Sequence, residues 1–426
     1  MRGFLRERLE ALGDAFWLRP ALLVLVGVVL GQAAVLVEGT ALVGVVLTEG
    51  WIYAGGEAGA RSLLGAVASS TIGVAGTVFS ITVAALSLAS GQMGPRLLRN
   101  FIRDAGNQAA LGVFLSTFSY ALVVLRTVRS TEEGAFVPHL GVTGALVLAL
   151  LCVGTLVWFV HHVASGINVE TVIGTVHVEL RDAVARLTLN APEPEAPGLQ
   201  PSGGYPVALR KGGYIRALDE DGLADWAAEA GAVVTLLARP GDYVFPGVPV
   251  AKISGGAPEA DATVRVRGAM SLGGRRAAAQ DLEFAVRQLA EIAVRALSPG
   301  INDPFTAIAV LDRFGDVLCG MAGRHLPGAA VHRDGRAVLF RRATGYDELL
   351  DTMFHMIRQN GAGSAAVLVR LVEVIGAVLA VERAPNRSTA LCRHADLALA
   401  AGRRALDEAA AVADLETRYS ALPRGA

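Results

Sequence analysis

The sequence predicts an α-helical integral membrane protein: a four-helix transmembrane module followed by a mixed α+β, mainly helical, cytoplasmic domain. Three observations carry this. Hydrophobic residues make up 53% of the 426-residue chain and charged residues only 18%, below the roughly 25% of soluble proteins. The deficit is local, because charges are sparse from Arg19 to His161 and return to ordinary density from Arg181 onward. Within the sparse region four uncharged runs follow one another, each long enough to meet the about 20 residues that cross a bilayer. Buried helices of a large soluble core do not account for four such runs in succession.

Residues 1–19 form a charged, amphipathic tail expected on the cytoplasmic side. The apolar run after it is too long for a signal-peptide core and lacks a cleavage site, so it reads as a retained first span. The module covers 20–162, with spans at about 20–37, 62–90, 105–125 and 140–160. Pro20 to Val37 is uncharged for 18 residues, Ala105 to Leu125 for 21, and Leu140 to Val160 for 21. Ser62 to Pro95 runs for 34, more than one straight crossing needs, so this helix is tilted, broken or continued outside the bilayer. Trp17, Trp51, Tyr53, Trp158 and Phe159 mark the interfaces.

Arginine placement sets the orientation. Arg2, Arg6, Arg8 and Arg19 lie in the tail and Arg96, Arg99 and Arg103 follow the second span, while the other two loops hold Arg61, Arg126 and Arg129. This bias puts both termini of a multi-pass protein in the cytoplasm. Arg96, Arg99 and Arg103 also recur at helical spacing. They suit lipid headgroups or, alternatively, a cationic ring at a cytoplasmic pore mouth.

The second span carries the most pattern. Ser69, Gly73, Gly76, Ser80, Ala84, Ser87 and Gly91 are spaced three or four apart and form one stripe of small and hydroxylated residues. Val74, Val78, Ile81, Ala85 and Leu88 run down a different, apolar face. Small residues let helices approach closely, and the same stripe repeated around a symmetry axis lines a polar pore. The sequence alone leaves both readings open.

Apolar spacing continues from Val163 through Ile167, Ile173, Val176, Leu180 and Val184, which predicts a helical stalk over 163–190 continuing the fourth span. Such a seam needs a partner, either a second subunit or the soluble domain. His161 and His162 sit at the membrane exit. Neighbouring helix positions point about 100° apart, so the pair does not chelate one ion; interfacial histidines and a pH-sensing role are the two readings.

Residues 191–204, with four prolines and three glycines, read as a linker. A small β-rich domain is expected over 205–272, with strands at GYIRAL, VVTLLA and VPVAKI, a helix at EDGLADWAAEA and extended chain through ADATVRVRGAMSL. PGDYVFPGVPVAKI resembles turns of lipoyl- and biotinyl-type barrel-sandwich domains, but no lysine stands at a hairpin tip for carrier modification. Residues 273–426 read as a helical cytoplasmic domain with a hairpin near 329–342, turning at Asp334-Gly335. Its segment SPGINDP contains Ser298, Asn302, Asp303 and Pro304: a structural or ligand-binding turn in which Asp303 suits an N-cap and Pro304 the first helical turn.

Several functions lack support. The formal net charge is −1 and no basic tract interleaves with aromatics, so no nucleic acid is expected. Lysine occurs only at Lys211 and Lys252, as a GC-rich genome would give. Cys152, Cys319 and Cys392 are widely separated, so neither a disulfide framework nor a cysteine zinc site is expected. There is no phosphate-binding glycine loop in strand–helix context, no HExxH and no nucleophile elbow. No catalytic residue, metal or cofactor is therefore assigned.

The segments SSTIGVAGTVFSITVAALSLASGQMGPRLLRNFIRD, ALGVFLSTFSYALVVLRTVR, FVPHLGVT, FVHHVASGINVETVI and QDLEFAVRQLAEIAVRALSPGINDPFTAIAVLDRFGDVL together resemble a bacterial predicted-membrane-protein family, domain-of-unknown-function family twenty-two fifty-four. The resemblance implies a bacterial inner-membrane protein of this architecture and brings no activity with it. On the residues, the expected function is an oligomeric ion channel or transport-related pore lined by the second span. Its partners would be membrane lipids, further copies of the chain and inorganic ions. The alternatives are a membrane-anchored sensor or scaffold and, more remotely, an enzyme around Arg295, Asn302 and Asp303.

Topology is directly testable. Reporter fusions or cysteine labelling should place the N-terminus, the 91–104 loop and everything after Val163 inside, and the Glu38–Arg61 and Arg126–His139 loops outside. Labelling of the C-terminal domain from the external face would refute the orientation.

Overall fold

In hydrocarbon no water is available to satisfy backbone N–H and C=O groups, so a crossing segment must bond them internally. The computed structural model describes residues 16–38, 52–93, 104–131, 134–166, 168–193, 203–256, 258–276 and 280–423. Among them four helices are long and apolar enough to span a membrane: α1 (Leu18–Glu38), α2 (Glu57–Met93), α3 (Ala105–Thr127) and α4 (His139–Gly166). A short hairpin, β1 (Arg129–Thr131) with β2 (Gly134–Phe136), joins α3 to α4. The chain divides into two compact units, residues 1–171 and 172–426, described in turn.

In the first unit α3 is the central element and packs on α1, α2 and α4. Its buried residues Asn107, Ala110, Phe114, Thr117, Ala121 and Val124 recur at three and four, the period of one helix face. The α1–α3 contact is close because both sides are small: a Cβ on Gly27 would overlap the Ser116 carbonyl, and one on Gly112 would overlap Leu23. On the outside, Leu25, Val29, Leu150 and Val157 are more than half exposed, as lipid-facing side chains are. The long apolar run of the second span is one uninterrupted helix of 37 residues. At 1.5 Å per residue it extends roughly 55 Å, beyond a hydrocarbon core of about 30 Å.

The expected continuous stalk is divided. α4 ends at Gly166 and a separate helix, α5 (Val169–Leu187), begins three residues later. Asn168 makes the break, since its Oδ1 accepts the Glu170 N–H at 2.9 Å, an N-terminal bond that a through-running helix has no place for. The partner of the apolar seam lies within the second unit. Ile173, Val176, Leu180 and Val184 are buried, His177 Nε2 lies 2.8 Å from Asp316, and the Arg324 guanidinium donates to Thr188, Asn190 and the Ala185 carbonyl. The first residues of the linker are docked too: Glu193 accepts from the Gly328 N–H and pairs with Arg341 at 2.9 Å.

Among its described residues the second unit contains two sheets. Strands β3 (Tyr205–Ala208) and β4 (Gly213–Leu218), helix α6 (Glu220–Glu229), β5 (Ala232–Leu236), β6 (Tyr243–Val244), β7 (Pro249–Gly255), helix α7 (Glu259–Ala269) and β8 (Met270–Gly273) come first. Helices α8 (Leu282–Ala296) and α9 (Pro304–Gly320) precede the hairpin β9 (Ala330–Arg333) and β10 (Arg336–Phe340). The five-stranded sheet runs β3-β7-β5-β10-β9 and the three-stranded one β6-β4-β8. Asp334 and Gly335 both have positive φ, 50° and 74°, as a type I′ turn requires. This hairpin does not remain with the helices that flank it in sequence. β10 pairs in parallel with β5 through Leu339–Val234 and Phe340–Thr235, so the sheet unites what the sequence separates into a β domain and a helical domain.

Two further expectations are corrected. The 259–269 stretch is helical, because Glu259 and Asp261 suit a helix N-terminus and Ala262 and Val266, four apart, are both buried; only Met270–Gly273 is extended. With α6 and α7 inserted between its strands, the region is not the all-β barrel-sandwich scaffold.

The remaining helices are α10 (Tyr346–Asn360), α11 (Ala365–Leu379), α12 (Pro385–Ala405) and α13 (Ala409–Ser420). α11 is apolar but short, and Arg370 within it bonds Asp312 at 2.6 Å and Glu373 at 3.0 Å, as a helix packed in a protein core can. Sheet and helices are joined by ion pairs. Arg239, just after β5, bonds Glu283 of α8 and reaches Glu348 of α10 at 2.9 Å.

Beside that contact Asp281 caps α8, accepting the Phe284 N–H, with Arg276 3.1 Å away. Burial outweighs the arginine and pushes the Asp281 carboxyl up from 3.8 to about 6. Between those values the folded chain holds more proton than the unfolded one, so stability falls as pH rises through that window. The full cost above it is on the order of 1–3 kcal/mol. Asp281→Asn keeps a cap acceptor and removes the charge. It should raise the thermal midpoint at pH 7.5 and leave it nearly unchanged at pH 4; an equal shift at both would refute the assignment.

Candidate functional site

The small-residue stripe on α2 is placed by the helix period. Ala60, Leu64, Val67, Ala68, Thr71, Ala75, Val78, Thr82 and Ala85 are buried, and α2 packs on α3 and α4. At roughly 100° per residue these positions centre opposite Ser69, Gly73, Gly76, Ser80, Ala84 and Ser87, all six of which are exposed. A Cβ at Gly73 or Gly76 would meet open space, so close packing inside the chain does not require these glycines. The hydroxyls are partly satisfied locally: Ser69 donates to the Gly65 carbonyl at 2.8 Å and Ser80 to the Gly76 carbonyl at 2.9 Å. Val78 and Ala85 are buried as an apolar face should be, whereas Ile81 is exposed and does not share it. Gly91 lies within α2, but its surroundings, the Leu88 side chain, Arg96, Arg99 and Arg103 fall outside the described residues.

Polar contacts tie both ends of the first unit. At one, the Glu38 carboxylate accepts the His139 and Leu140 N–H groups at 2.9 and 2.8 Å, a negative charge on the N-terminus of α4. At the other, His162 Nε2 lies 2.8 Å from Asp104, which also caps α3 through the Asn107 N–H, and the imidazole stacks on Trp158. His161 is exposed. The two histidines therefore have separate environments, and His162 serves as a tie between α3 and α4.

The 298–304 turn is bonded throughout. Ser298 Oγ donates to the Arg295 carbonyl at 2.6 Å, the Asn302 N–H to the Ser298 carbonyl and the Asp303 N–H to the Ala296 carbonyl. Asn302 takes φ 50°, which asparagine tolerates. Asp303 Oδ1 accepts from Phe305 N and Thr306 N, its Oδ2 accepts the Thr306 hydroxyl, and Pro304 fills the first turn. Asp303 is thus engaged as the cap of α9.

One constellation was not legible as a site in the sequence. Asp351 and His355, four apart on α10, meet His394 of α12, and their ligand atoms lie within 4.8 Å of one another. Both imidazole Nε2 atoms point at Asp351 Oδ1, at 2.9 and 3.1 Å. Arg393 donates to the same oxygen at 2.6 Å. The carboxylate position facing a metal is therefore held by a guanidinium, and these three residues alone make a poor cation site. Burial, then Arg393 and His355, push the His394 imidazole down to about 4. Burial raises the Asp351 carboxyl, but the Arg393 bond and charge with the two histidines more than reverse that, leaving it below the usual value. The legible signal was the Asp351–His355 spacing; His394 lies 39 positions further on and is brought in by the α10–α12 packing.

A cleft of about 210 Å³ opens between α9 and α11, lined by Asp312, Asp316, Cys319, Arg370 and Glu373. Its charges are paired internally, Arg370 with Asp312 and Glu373 and Asp316 with His177.

A family profile described as predicted membrane protein (DUF2254) matches residues 13–377. Uncharacterised proteins from Mycobacterium tuberculosis (strain CDC 1551 / Oshkosh) and Mycobacterium bovis are each 32% identical over 408 residues, covering 93% of this chain and 78% of the relative. No solved structure matches.

The cap role of Asp303 predicts asymmetric variants. Asp303→Ala should cost about 1 kcal/mol of stability and Asp303→Ser much less. Equal loss of a demonstrated activity in both, with no change in melting temperature, would instead make Asp303 a reacting or ligating group.

Proposed function

Because the chain belongs to the predicted-membrane-protein family DUF2254, we propose that it acts as a symmetric homo-oligomer in the bacterial inner membrane, with α2 of each copy lining an ion or small-solute pathway. The observation that carries the reading is the two-sidedness of α2. One face is spent on α3 and α4, and the opposite face is a row of small and hydroxylated residues that the chain itself does not cover. Lipid favours large apolar side chains on an outward face, as on α1 and α4. A small, hydroxylated face suits another helix or water. Arg96, Arg99 and Arg103 then stand at the cytoplasmic mouth or on headgroups, with both termini inside.

A second reading has its own support. The Ser69 and Ser80 hydroxyls of the stripe donate to their own helix, which lets the face pack dry against a second copy. The protein would then be a membrane-anchored sensor or scaffold whose C-terminal unit binds a ligand or partner, with no conduction.

Cysteines at Ser69, Gly73, Ser80 and Ser87 should react with aqueous thiol reagents and alter flux in liposomes, while those at Val67, Val78 and Ala85 stay shielded. Ser80→Leu should block conduction and leave the oligomer intact. In a dry seam the same change overpacks, costing roughly 1–3 kcal/mol, and disperses the copies. Absence of flux from intact oligomers across ions, pH values and membrane tensions would sink the channel and favour the scaffold.

A further inference from the structure

Arg358, in the last turn of α10, is 8% exposed. Its Nε is buried without a hydrogen-bond partner. The hydrogen bond recorded for its guanidinium is a long one, Nη2 to His355 Nδ1 at 3.5 Å. Among the described residues no carboxylate lies within ion-pair distance of it. A buried guanidinium ordinarily has a paired anion, since the desolvation cost is otherwise uncompensated.

The surroundings add positive charge. Arg404 stands exposed in the last turn of α12, the helix packed against α10, also without an ion-pair partner among the described residues; burial, then its charge, lower the Arg358 pKa. Arg393 follows one step away through the histidine cluster. Asp351, the acid of that cluster, is already bonded by Arg393, His355 and His394. The helix dipoles offset part of the positive charge at the two C-termini, yet they supply no acceptor for the Arg358 Nε.

We propose that Arg358 and Arg404, with His355 beside them, form a binding site for a phosphate-type oxyanion. Planar guanidinium donors match such a group in pairs, and a divalent cation would be repelled. His355 Nδ1, 3.5 Å from the Arg358 guanidinium, marks the side of the site that faces the histidine cluster. The oxyanion comes from a soluble phosphate compound or from a phospholipid headgroup.

The full-length protein in detergent tests this with inorganic phosphate as probe. Phosphate at millimolar concentration should raise the thermal midpoint, as any ligand of the native state does, and chloride at equal ionic strength should not. Arg404→Gln, a surface change, should weaken the phosphate effect at least tenfold in concentration. Arg358→Gln should abolish it and, because an uncompensated buried charge is removed, leave the midpoint without ligand equal to or above that of the unaltered protein. If phosphatidylglycerol vesicles protect in an Arg404-dependent way and free phosphate does not, the headgroup is the source. The proposal is overturned by no protection from either probe, by protection that Arg404→Gln leaves unchanged, or by destabilisation of the ligand-free Arg358→Gln protein.

Discussion

Satisfaction of the backbone inside hydrocarbon is the constraint on which the first unit rests. A peptide group without a partner there costs several kcal/mol, so the four apolar runs have no alternative to helix. Once the runs are helical, the helix–helix contacts follow from side-chain size. α3 becomes central because its buried face recurs at three and four, and α1 approaches closely where Gly27 and Gly112 remove the obstructing Cβ. Polar groups are then admitted at the ends of spans, where Glu38 holds the start of α4 and Asp104 holds His162.

The same economy reappears in the C-terminal unit. Arg239, Arg341 and Arg370 each bond two carboxylates, so these guanidinium groups are compensated within the fold. Asp281 and Arg358 depart from that pattern. Asp281 retains an arginine but is too deeply buried for the attraction to win. Arg358 lacks even that, among the described residues, and the imbalance is what makes its corner a candidate for an external anion.

α2 links the physics of packing to function. Its inner face is ordinary core. Alongside the exposed Ile72, Phe79 and Val83, its outer face carries a row of residues too small to fill lipid-facing surface well and, at Gly73 and Gly76, no side chain at all. Lipid contact gives no reason for such a row; a helix partner or a solvated path does.

Much of the fold was legible because its signals are local. Span positions follow from apolar runs, the I′ hairpin from Asp334-Gly335, and the cap of α9 from Asp303-Pro304, each set by neighbours a few residues apart. The sequence could also establish that the α2 stripe was a stripe, since helix period alone aligns it. It could not say which way the stripe faces, because that depends on which side of α2 meets α3. Nor could it join the 330–340 hairpin to β5 across about a hundred residues, or bring His394 to Asp351 and His355. Those are pairings between distant segments, and their register is decided by the free energy of the whole packed unit. Helical periodicity belongs to the chain itself; the choice of partner for each face is made only when the faces meet.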